Sequence, residues 1–140
     1  MNTYTPKLIK IASWLWLSYG IILSLLTLLA VYMAATNKSS EGSDKYIIWL
    51  LPTIILFFAC VFLHIGKQTL KGKAKDTLGN SIGSILFALF GFNSFLGLSS
   101  SDVAEQAGYL IGPVLLLTSG IFALIGRADY KKWASGNKNA

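Results

Sequence analysis

The chain has 140 residues, of which 54% are hydrophobic and only 13% charged, with a formal net charge of +6. Soluble domains carry about 25% charged residues, so this composition excludes an ordinary water-soluble fold. The positive charge excludes a nucleic-acid footprint as well, because the basic residues stand between apolar runs and do not gather on one polar face.

In chain order, no Asp, Glu, Lys or Arg occurs in residues 11–37, 46–66, 77–101 or 106–126. A helix needs about 20 residues to cross a hydrocarbon core of about 30 Å, and one central charge costs roughly 2.5–3.5 kcal/mol on insertion scales. Four spans are predicted, near 11–33, 46–66, 78–98 and 108–126, in one domain covering residues 1–140. The fold class is all-α: an integral membrane four-helix bundle running up, down, up, down. A soluble bundle would need a polar face on every helix, and none of these runs has one.

The first run follows Lys7 and Lys10 and precedes Ala34 and Ala35, a layout shared with signal peptides. Its apolar part exceeds 20 residues against about 7–15 for a signal core, which predicts an uncleaved span. The second run is the most lipid-like and holds Pro52, Cys60 and His64. A lone histidine and a lone cysteine supply too few ligands for a metal or haem site. The loop over 67–77 then brings Lys67, Lys71, Lys73 and Lys75, candidate contacts for anionic lipid headgroups.

The third run is the most polar, with Asn80, Ser81, Ser84, Asn93 and Ser94 among phenylalanines and glycines, and it is expected to face its neighbours rather than lipid. Asn93 needs an interhelical hydrogen bond or, with Ser94 and Thr118 of the fourth run, lines a polar path. The fourth run carries Pro113, expected with Pro52 to mark a helix start, or, if the fourth helix begins as early as Asp102, to interrupt an internal hydrogen bond and kink it. Residues 127–140 read as a short basic tail that begins with an interfacial Tyr130 and Trp133 and then frays.

Small residues recur at helical spacing. Gly79 with Gly83 and Gly108 with Gly112 are GxxxG pairs, and Gly20 and Ser119 extend similar stripes in the first and fourth runs. In lipid, helices associate where small residues let backbones approach, so these six positions are predicted packing seams, within the chain or toward a partner. A shift of 63 residues aligns Ser18, Gly20, Ile22, Leu23 and Leu26 with Ser81, Gly83, Ile85, Leu86 and Leu89, the pattern of two parallel helical-hairpin repeats.

Orientation follows from the loops. Ten basic residues lie at the two ends and in the middle loop, and only Lys38 and Lys45 lie on the other side, which predicts cytoplasmic termini. Trp14, Trp16, Tyr130 and Trp133 are expected at one membrane border, and Tyr32, Tyr46, Trp49 and Tyr109 at the other.

No residue pattern supplies a catalytic group or a cofactor site: there is no CxxC, HExxH, GxSxG or P-loop, and no carboxylate inside a span. The chain therefore reads as a non-enzymatic multi-pass protein of the bacterial inner membrane, acting through helix contacts with itself or a membrane partner in an accessory, immunity-like or envelope-assembly role. Its other reading is a transporter or channel component. The expected partners are the bilayer and a membrane protein or second copy, without nucleic acid.

Overall fold

The computed structural model describes residues 6–36, 44–74, 77–97 and 103–138. Five helices follow one another: α1 (Lys7–Thr36), α2 (Asp44–Leu70), α3 (Leu78–Leu96), α4 (Val103–Ile125) and α5 (Arg127–Lys138). The first four are long and apolar enough to cross a bilayer, so the chain is a multi-pass membrane protein built as a helical bundle. α1, α2 and α4 are longer than their charge-free runs, while α3 covers 19 residues of the run 77–101. α1 reaches 30 residues because Lys7 and Lys10 sit on its first turns, where long lysine stems can return their charge to water.

α1 packs along α2, and α3 along α4; the two hairpins are joined by α1 against α4. The order around the bundle is thus α2, α1, α4, α3. α2 and α3 meet through aromatic side chains: the Phe58 and Phe87 rings lie edge to face at 4.9 Å, and Phe62 and Phe87 at 6.2 Å. Under the two-hairpin repeat, α2 against α3 would be the symmetry mate of α1 against α4. One of these seams is packed and the other is not.

Packing is uneven along the membrane normal. The end bearing the lysine-rich α2–α3 loop, here the lysine end, holds most of the buried residues, among them Ile9, Ala12, Ser13, Trp16, Phe62, Ser81, Ala123 and Tyr130. At the opposite, far end, α1 beyond Gly20 buries only Thr27, and Leu25, Leu28 and Tyr32 are more than half exposed. Glycine explains the tight end. A Cβ at Gly120 would lie 2.8 Å from Ile85 Cγ1 and 2.9 Å from the Ser81 carbonyl, and one at Gly66 would lie 2.7 Å from Leu17 Cγ. The backbones are therefore in near contact, and dispersion accumulates where hydrophobic transfer gives nothing.

Three local expectations are corrected. Pro52 and Pro113 lie inside α2 and α4, since these helices begin at Asp44 and Val103, well before the apolar cores. Pro113 is buried with its ring against Gly91, so lost backbone donation is offset by close packing. Residues 127–138 do not fray but form α5, continued from α4 by the Tyr130 amide donating to the Gly126 carbonyl at 2.9 Å. Trp16 and Tyr130 are fully buried and so belong to the core, not to the aromatic borders, while Trp14, Tyr32, Tyr46, Trp49 and Tyr109 are exposed.

Candidate functional site

The lysine end is organised around one polar contact between the hairpins. Trp16 of α1 reaches across the interior and donates its indole N–H to Ser84 Oγ of α3 at 2.8 Å, with both side chains buried. Most other buried hydroxyls bond to their own helix: Ser13 donates to the Ile9 carbonyl at 2.7 Å, Ser81 to Thr77 at 2.7 Å and Ser119 to Leu116 at 2.9 Å. These serines are thus small packing residues, and the Trp16–Ser84 pair sets the alignment of the two hairpins. Sequence reasoning missed it. The available signal was the spacing of Trp14 and Trp16, which point about 200° apart on a helix and cannot both face lipid.

Beyond this pair α5 continues from α4 and meets the α2–α3 loop. Tyr130 donates its hydroxyl to the Ala74 carbonyl at 2.9 Å, in the loop where Gly72 adopts φ 66° to turn the chain. Thr69 and Thr77 flank that loop with buried hydroxyls, and both they and the buried Trp133 indole N–H have no hydrogen-bond partner among the described residues.

Beside Ser84 the unpacked seam between α2 and α3 forms a cleft of about 290 Å³ that opens sideways toward lipid. Its α2 wall is Phe57, Phe58, Val61, Phe62 and Ile65; its α3 wall is Gly79, Asn80, Gly83, Ser84 and Phe87. The glycines hollow it. A Cβ at Gly79 or Gly83 would meet nothing within 4 Å.

The six predicted seam positions therefore separate. Gly20 is pressed on Leu63, where a Cβ would come within 2.8 Å, Ser119 is buried, and Gly112 lies against Tyr19 at 3.2 Å from its Cβ position. At Gly79, Gly83 and Gly108 a Cβ would meet nothing within 4 Å among the described residues. The α1–α4 seam is closed at Gly126, against Ile9, and at Gly112, but open one turn further on at Gly108.

The three polar-path positions do not share a lining. Asn93 and Ser94 are exposed near the end of α3, and the third span thus turns two of its polar residues outward, contrary to expectation. Ser94 donates to the Phe90 carbonyl at 3.1 Å and Thr118 to Val114 at 2.8 Å, each within its own helix. With Gly91 beside Pro113, Asn93 and Thr118 stand about 10 Å apart along the axis. Lys67, Lys71 and Lys73 are exposed, and Lys75 lies outside the described residues. His64 and Cys60 are exposed one turn apart on α2.

Compared with known proteins, the chain matches no family model, no curated protein and no solved structure. Its function must be argued from its own residues.

Proposed function

We propose that this chain is a non-enzymatic protein of the bacterial inner membrane, with both ends in the cytoplasm, that works by docking a membrane helix of a partner against its far end. The orientation rests on the ten basic residues at the lysine end against two at the other. The docking reading is carried by one observation, the open space at the Gly108 Cβ position among the described residues, one turn beyond Gly112, which Tyr19 covers. Gly108 thus stands open within a seam whose other small residues are used.

A helix seated there would complete the bundle at its loose end, which suits an accessory subunit, an immunity-like protein against a membrane-active toxin, or part of an envelope assembly. Gly108→Cys, made with Cys60→Ala, should crosslink to a second polypeptide in native membranes, and a bulky Gly108→Leu should weaken the association several-fold. Recovery of monomer alone with crosslinkers of several lengths would overturn the reading.

A further inference from the structure

The α2–α3 cleft is a separate feature from the far-end face, and its polarity is graded along its length. Deep in the membrane its walls are aromatic, with Phe57 and Phe87 eight residues from Ile65 and from Gly79, about 12 Å along each helix. Near the lysine end the lining changes to the Asn80 carboxamide, on the first turn of α3 and half-exposed. Beyond it come the exposed lysines: Lys67 on the last turn of α2, then Lys71 and Lys73 in the loop that leads to α3.

We infer that the cleft is a binding site for one anionic phospholipid, with an acyl chain between α2 and α3, the ester region at Asn80, and the phosphate among Lys67, Lys71 and Lys73. The order of chemistry along the protein, cation, amide, aromatic, is the order phosphate, ester, hydrocarbon along the lipid. Size supports a chain rather than a helix: a cleft of about 290 Å³ is narrow beside a helix, which with its side chains is about 10 Å across. Charge favours an anionic guest over a second copy of this protein, whose own lysine-rich loop would be brought against this one. Gly79 and Gly83 keep the cleft hollow, because any larger side chain would occupy the space of the lipid tail.

The test uses the full chain in nanodiscs of phosphatidylcholine doped with phosphatidylglycerol, with retained lipid counted after detergent exchange by native mass spectrometry. The expected result is one phosphatidylglycerol per chain, held in preference to phosphatidylcholine and not displaced by millimolar glycerol phosphate, which carries the headgroup chemistry without a tail. Gly83→Leu, which fills the cleft and leaves every lysine in place, should reduce retention at least about tenfold. Val61→Trp fills the same space from α2 and serves if the first variant does not fold. Exchanging Lys67, Lys71 and Lys73 for Gln should reduce retention on the order of 100-fold, from about 1 kcal/mol for each charge near the surface. Equal retention of the two lipids would overturn the inference. So would unchanged retention in both cleft-filling variants, which would leave only a lysine surface, or displacement by glycerol phosphate, which would mark an anion site without a tail groove. A crosslink from Gly83→Cys to a second polypeptide would overturn it in favour of a docked helix.

Discussion

The two ends of the bundle are made of similar residues and behave differently. At the lysine end, Gly20, Gly66, Gly120 and Gly126 each lie where a Cβ would meet a neighbouring helix, and Trp16 fills the interior between the hairpins. At the far end Gly108 meets nothing, and Tyr32, Tyr46 and Leu96 are at least two-thirds exposed or close to it, at 66%, 81% and 80%. The α2–α3 opening adds a lateral version of the same contrast, with Gly79 and Gly83 hollow beside a packed α1–α4 seam. A small residue permits close packing but does not compel it; the partner backbone must also be brought there.

The largest test of this contrast is a pair of tryptophans. Trp16→Ala removes a fully buried ring and the bond to Ser84, and should cost about 3–5 kcal/mol, read as a fall in the thermal midpoint of the protein in detergent. Trp49→Ala, at a 44% exposed position of the far end, should leave that midpoint nearly unchanged. Similar losses from both would mean that the far end is packed as tightly as the lysine end.

A glycine pair sharpens the comparison at smaller amplitude. Gly120→Val should destabilise by about 1–3 kcal/mol, because Ile85 and the Ser81 carbonyl occupy the space its side chain needs. Gly83→Ala should be neutral or slightly stabilising, since a methyl there meets open space and helix propensity favours Ala by about 1 kcal/mol. Reversed signs in a denaturation series would reverse the assignment of packed and open seams.

The smallest effect concerns α5. Tyr130→Phe keeps the buried ring and removes only its bond to the Ala74 carbonyl, a loss of about 0.5–1.5 kcal/mol. Because that bond ties α5 to the α2–α3 loop, the loss should appear as faster trypsin cleavage after Lys71 and Lys73 with little change in global unfolding. Equal cleavage rates would show that the bond does not restrain the loop.

The four spans were legible from charge alone, because the cost of burying a charge in hydrocarbon is large and acts on each residue separately. The same local logic set the up-down order and the side on which the lysines gather. What escaped it was any property that depends on a second helix. Trp14 and Trp16 look alike in sequence, and only the approach of α3 makes one a core residue and leaves the other in lipid. Gly112 and Gly108 belong to one GxxxG pair, yet Tyr19 reaches the first and nothing reaches the second. The basic tail was legible as interfacial but not as α5, since a twelve-residue helix is marginal alone and is held by burial of Tyr130 and Ala134.

By itself, then, the sequence determined what lies in the membrane, how often it crosses and where its charge collects, since those follow from transfer energies summed along the chain. Which small residues are seams and which are openings was decided only by the tertiary structure. In lipid the energy of a seam comes from how closely two particular backbones approach, and no residue carries that information alone.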